Sequence, residues 1–144
     1  MDDKWGRRLF TAGAAFLVLL GLVHGLSLLG KPPAHNETER QLLDLASSYK
    51  FNVMGSMRTY DNFMRGFSIS FMLACLVLGT LGLTLRRERA GLLKNIAFIT
   101  VAWLIAMTAV SLRYFFVFPT SCLVIALVIF ALSWINLPGE ARVG

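Results

Sequence analysis

Four stretches of this chain carry apolar side chains on every side: Leu9–Leu29, Phe67–Leu85, Leu92–Leu112 and Pro119–Leu137, with Lys94 the only charged residue among them. Each is about 20 residues long, and at about 1.5 Å of rise per residue such a helix spans a hydrocarbon core about 30 Å thick. A bilayer core offers backbone amides no water, so the runs must close their own hydrogen bonds as helices. The pattern predicts an all-α membrane protein, an antiparallel four-transmembrane-helix bundle with spans at about 9–29, 63–85, 92–112 and 119–137. Residues 1–144 then form a single integral membrane domain. Lys4, Arg7 and Arg8 precede the first run as they would in a signal peptide. Its length, the lack of a small-x-small cleavage site and the three later spans predict an uncleaved helix instead.

The connections carry patterns of their own. Lys31-Pro32-Pro33 ends the first helix, and Asn36 is placed to cap a new one with Glu39 as its capping-box partner. Leu42, Leu43, Leu45, Ala46 and Tyr49 then oppose Glu39, Arg40, Asp44 and Lys50. This predicts a short amphipathic surface helix over about 37–50, resting on lipid or on the helix tops. It would serve as a lid, or as a place for a partner to dock. The last connection, Arg113-Tyr114-Phe115-Phe116-Val117-Phe118-Pro119, is aromatic, and Pro119 suits the first turn of the fourth span. Aromatic rings there, with Tyr49, Tyr60, Trp5 and Trp134, read as interfacial anchors. Contact with a flat apolar ligand or another subunit is the other reading.

Helical spacing assigns inward faces. Gly21 and Gly25 form a G-x-x-x-G step in span one, with His24 beside it. Asp61, Arg65, Ser68, Met72, Cys75 and Gly79 make one stripe of span two. Ala102, Ala106, Ala109 and Arg113, with Asn95, make the stripe expected to pack in span three. Cys122, Ala126, Ser133 and Asn136 share a side of span four. Gly21, Gly25, Ala102 and Ala106 are therefore the expected helix-packing positions.

Composition agrees: 56% of residues are hydrophobic, 15% are charged, and mean hydropathy is +0.65. Soluble domains average about 25% charged residues. The net charge of +6 sits mainly at span ends and does not point to nucleic acid. Lys4, Arg7 and Arg8 precede span one, while Arg86, Arg87, Arg89 and Lys94 crowd the link between spans two and three. The positive-inside rule then places both termini, and Arg142, in the cytoplasm. Cys75 and Cys122 lie at different depths and form no C-x-x-C, so neither a disulfide nor thiol-redox chemistry is expected.

His24, Arg58, Asp61, Arg65 and Arg113 are the candidate ligand- or partner-binding residues. Spacing makes Arg58–Asp61 an i,i+3 pair and Asp61–Arg65 an i,i+4 pair. Ionisable side chains within spans are costly and tend to face inward and pair. One carboxylate cannot balance three guanidiniums, so an anion would complete the cluster: a lipid phosphate, a carboxylate ligand or an acidic partner residue. Purely structural pairing, with Arg65 and Arg113 snorkelling to headgroups, is the plainer alternative. No metal or cofactor is expected, since His24 and His35 are the only histidines and lack carboxylates at ligand spacing. No catalytic residues are assigned, because the serines lack a positioned base and there is no phosphate loop.

The segment Gly55-Ser56-Met57-Arg58-Thr59-Tyr60-Asp61-Asn62-Phe63-Met64-Arg65-Gly66-Phe67-Ser68-Ile69-Ser70-Phe71, with His24 late in helix one, is the most distinctive. It resembles small uncharacterised bacterial four-transmembrane-helix inner-membrane proteins, in which a similar aromatic–Asp–aromatic stretch and Gly-Phe pair open helix two. The resemblance implies the four-span layout, a bacterial inner (plasma) membrane and interest in Asp61, Arg65 and Gly66, with no activity attached. The expected function is non-enzymatic: an accessory or structural subunit of a membrane complex, or a binder of a lipid-like anion at the extracytoplasmic face. Membrane lipid, other membrane subunits or a second copy are the expected partners. A small membrane enzyme, or a redox or proton-handling protein using His24 and Asp61, is the alternative.

Overall fold

The computed structural model describes residues 3–30 and 33–139. The expected helix stop at Lys31-Pro32 and the position of Arg142 lie outside the described residues. The described chain is all-α apart from one hairpin. In order it comprises α1 (Asp3–Ser27), α2 (Glu37–Ser48), β1 (Phe51–Val53), β2 (Ser56–Arg58), α3 (Tyr60–Leu85), α4 (Ala90–Tyr114) and α5 (Val117–Asn136). α1, α3, α4 and α5 are each long and apolar enough to cross a membrane. Every span starts before its apolar run, and α3 reaches back to include Asp61 and Arg65. The chain divides into two compact units, one formed by residues 1–20 and 75–144 and the other by residues 21–74.

Unit 1 is an antiparallel four-helix bundle held by small residues. A Cβ placed on Gly79 of α3 would lie 2.7 Å from the Ala14 carbonyl oxygen and 2.8 Å from the Val18 nitrogen of α1. One on Gly82 would meet the Ala14 methyl at 2.8 Å. The two backbones therefore touch where a side chain would hold them apart. α1 repeats the device against α5: Gly6 faces the backbone of Asn136 and Leu137, and Gly13 faces the Phe130 ring. The Ser133 hydroxyl donates to the Gly6 carbonyl at 3.0 Å in this buried contact. Gly6, Phe10, Gly13, Ala14 and Leu17 are the buried line of α1 within unit 1, and Gly21, in unit 2, is buried as well.

α4 corrects the expected face. Its buried line is Leu93, Ala97, Thr100, Leu104, Thr108 and Ser111, and Ala102, Ala106, Ala109, Arg113 and Asn95 are all exposed. At about 100° per residue the alanine stripe lies nearly opposite. Both stripes are small or polar. The hydroxyl-bearing one turns inward, where Thr100 donates to the Ile96 carbonyl at 2.9 Å and Ser111 bonds Thr120 of α5 at 2.7 Å. α5 buries Leu123, Ala126, Phe130 and Ser133, keeping Ala126 and Ser133 of its expected side. Cys75 and Cys122 are free thiols.

Helix ends of unit 1 are tied by long cations. The Lys94 ammonium donates to the Leu137 carbonyl at 2.7 Å, satisfying a group left open at the C-terminus of α5. Arg7 pairs with Asp3 at 2.9 Å and donates to the Glu88 carbonyl in the α3–α4 turn at 2.6 Å.

In unit 2, α2 starts as expected, with the Asn36 side chain accepting from the Glu39 amide at 2.8 Å. The return bond differs: Glu39 accepts from the His35 amide at 2.7 Å, one residue before the cap. The Arg40 guanidinium, and after it Gln41, hold the Glu37 carboxyl below its ordinary range. The helix buries no residue, and Leu42 and Leu45 are exposed, as fits a surface helix. At the end of α1, Gly25 lies against Met72, whose Sδ would be 2.6 Å from an added Cβ. Gly25 thus does pack, against α3.

Small-to-large changes in close-packed sites cost about 1–3 kcal/mol, and more where the neighbour is backbone. Gly79→Leu should therefore lower the thermal unfolding temperature in detergent markedly. Ala102→Leu, on the exposed face of α4, should leave it unchanged. Circular dichroism melts of the two purified variants check both outcomes.

Candidate functional site

The residues expected to bind a ligand gather mainly in unit 2, where the hairpin stands beside the first turns of α3. β1 and β2 pair antiparallel in the register Phe51↔Arg58, Asn52↔Met57 and Val53↔Ser56. The two-residue turn Met54-Gly55 has positive φ at both positions, +49° and +88°, the type I′ geometry that matches strand twist. Asn52 Oδ1 steadies it by accepting from the Gly55 amide at 2.8 Å. The Phe51 ring stacks on Phe63 of α3 at 5.9 Å and 17°, which docks the hairpin on the helix.

α3 then starts with a reciprocal cap. The Asn62 amide donates to Thr59 Oγ1 at 3.2 Å, and the Thr59 amide to Asn62 Oδ1 at 3.1 Å. Asp61 and Arg65, one turn apart, form the expected ion pair at 2.8 Å, with both side chains nearly half exposed. Asp61 is a first-turn carboxylate, stabilised by the positive end of the helix as well.

Arg58 departs from expectation. It lies on β2 and the helix begins only at Tyr60, so its three-residue spacing to Asp61 is not a helical one. Its Nη1 donates to the Met57 carbonyl at 3.0 Å, and it belongs to none of the ion pairs among the described residues. Arg113 sits near the end of α4 in unit 1, exposed, with its guanidinium carbon 5.9 Å from the Tyr114 ring centroid. The exposed stripe of α4 carries it outward with Ala102, Ala106 and Ala109. His24 packs edge-on against Phe71 of α3 at 5.1 Å, and its buried Nε2 has no hydrogen-bond partner.

Beside Arg58 the structure opens a groove of about 710 Å³, lined by Val53 and Ser56 of the hairpin and by Asn62, Phe63, Gly66, Phe67 and Ser70 of α3. Gly66 makes its floor: a Cβ added there would meet nothing within 4 Å. The Ser70 hydroxyl is satisfied by donating to the Gly66 carbonyl at 2.9 Å, so the floor is effectively apolar. Phe63 and Phe67 supply its walls, and Arg58 puts the one positive charge among the lining residues at its rim. No protein-family model, curated protein or solved structure matches the chain.

Sequence reasoning gave Arg58 and noted Gly66, but missed the hairpin and the groove. Alternation of Phe51 and Val53 around Asn52, followed by Gly55, was the available signal. Three-residue strands and a Met-Gly turn, in place of Asn-Gly, kept it weak.

Met54 pays for left-handed backbone without any packing, since its side chain is fully exposed. Met54→Asn should tighten the hairpin by about 1 kcal/mol, because asparagine tolerates that region better. Slower hydrogen exchange at the amides shared by β1 and β2 is the expected readout.

Proposed function

We propose that this chain is a non-enzymatic, multi-pass protein of the bacterial inner membrane that binds a lipid-like anion in the groove between the hairpin and α3. Both termini lie in the cytoplasm in this reading, because the basic Arg86–Lys94 link is held there, and the groove opens on the extracytoplasmic side. The observation that carries the proposal is the pairing of one uncompensated cation, Arg58, with an apolar channel walled by Phe63 and Phe67. A charged headgroup meets the guanidinium through charge-assisted hydrogen bonds. The acyl chain lies along the aromatic rings, where burial of apolar surface favours it. Asp61 does not compete with the headgroup for Arg58, being already paired with Arg65.

An accessory-subunit role is supported by a different feature, the exposed Ala102, Ala106 and Ala109 on α4. Small residues on an outward helix face allow a second helix to approach closely. The enzymatic or proton-handling reading rests on His24 and Asp61, and no hydrogen bond joins those side chains among the described residues.

Native mass spectrometry of protein purified in mild detergent with phosphatidylglycerol tests the groove. Arg58→Gln removes the cation, and Gly66→Leu adds bulk to the floor at a position where a Cβ has room. Each should lower occupancy of one bound lipid by about tenfold, the worth of a charge-assisted contact. Equal retention by wild type and both variants would remove the proposal. Loss of a co-purifying protein in Ala102→Leu, with lipid retention unchanged, would favour the subunit role instead.

A further inference from the structure

The opposite chemistry from an apolar groove is found in unit 1, at the end where α1 begins and α3 turns into α4. Among the described residues, seven basic side chains gather on these segments: Lys4, Arg7, Arg8, Arg86, Arg87, Arg89 and Lys94, against the carboxylates Asp3 and Glu88. Their spatial association is fixed by Arg7, which bonds Asp3 on its own helix and the Glu88 carbonyl in the turn. Arg7 is committed to structure in this way, and Lys94 on the Leu137 carbonyl.

The turn itself is different. Arg86, Arg87 and Arg89 are all exposed, and none of them, nor Arg8, belongs to an ion pair among the described residues. Arg86 uses one nitrogen on the Leu83 carbonyl at the end of α3. Glu88 stands between these arginines in sequence, yet its carboxylate is in no ion pair among the described residues either. α4 adds to the positive potential: it has no acidic residue in its first turn and no side-chain cap. Three guanidiniums within four residues repel one another, and a topology signal alone requires only that they be basic. Guanidinium pairs with phosphate through two parallel hydrogen bonds, which lysine cannot match.

We infer that the Arg86–Arg89 turn is a binding site for the phosphate of an acidic phospholipid headgroup. The turn joins two membrane-crossing helices, so its side chains stand at headgroup depth, where juxtamembrane basic clusters draw anionic lipid. The site is independent of the groove at Arg58, which belongs to the other unit and uses a single cation over aromatic walls.

The test uses the full-length protein in nanodiscs of phosphatidylcholine with phosphatidylglycerol, followed by release and native mass spectrometry. Reconstituting purified protein keeps any change of membrane orientation out of the readout. Wild type should retain phosphatidylglycerol in preference to phosphatidylcholine. The triple variant Arg86→Gln/Arg87→Gln/Arg89→Gln should lose one such lipid by roughly tenfold or more, with an unchanged melting temperature, and adding Gly66→Leu to it should remove a second. Retention by the triple variant equal to wild type would overturn the inference. So would loss of that lipid in Gly66→Leu but not in the triple variant, which would put the only site at the groove. Inorganic phosphate in excess should leave the lipid bound. Its displacement by phosphate would overturn the assignment to a lipid headgroup in favour of a free anion site.

Discussion

Where α1 crosses α3, the Ala14 carbonyl oxygen sits where a side chain on Gly79 would have to be. Helices surrounded by acyl chains gain little by burying leucine against leucine, because lipid tails are as apolar as leucine is. Association then depends on how closely two backbones approach, and on the few polar groups that find partners between them. Gly79 and Gly82 on α3, and Gly6 and Gly13 on α1, provide the approach. Ser133 on the Gly6 carbonyl, Ser111 with Thr120, and Lys94 on the Leu137 carbonyl provide the polar links. The bundle of unit 1 depends on absent side chains more than on large ones, although Phe10 and Phe130 fill the space beside the glycines edge to face at 5.8 Å.

That constraint sorts the cations by role. Arg7 and Lys94 close open carbonyls and belong to the architecture. Arg40 and Arg65 face their own carboxylates one helical turn away, arrangements worth under about 1 kcal/mol at an exposed surface. Arg58 and the arginines of the α3–α4 turn have no such partner among the described residues, and the two binding proposals rest on them. The contrast is chemical as well as positional. Arg58 overlooks an apolar groove suited to a whole amphiphile, whereas Arg86, Arg87 and Arg89 offer guanidiniums to a phosphate without an apolar channel beside them.

Unit 2 shows why its site was hard to foresee. Asp61 and Arg65 were legible because a helical pair one turn apart needs only the helix. Arg58 was read on the same helical ladder, but the two-residue turn at Met54-Gly55 puts it on a strand and removes it from Asp61. Gly66 stood out by sequence alone, yet its use as a groove floor requires the hairpin to be docked by Phe51 on Phe63. A contact between residues twelve apart, across a change from strand to helix, leaves no periodic trace.

The apolar runs by themselves determined four helices long and apolar enough to cross a membrane, since backbone hydrogen bonding in hydrocarbon allows no other solution, and the capping signal at Asn36 determined the start of α2. The stripe of α3 from Ser68 to Gly79 was also legible, and Cys75 and Gly79 on it are buried. On α4 two such stripes compete, and spacing cannot rank them. Tertiary structure decided there: Ser111 turns inward to bond Thr120 of α5, Thr100 and Thr108 are buried on the same line, and Ala102 and Ala106 are left outside. Which small residues meet another helix depends on where that helix lies, and that is set by all four crossings together rather than by any one segment.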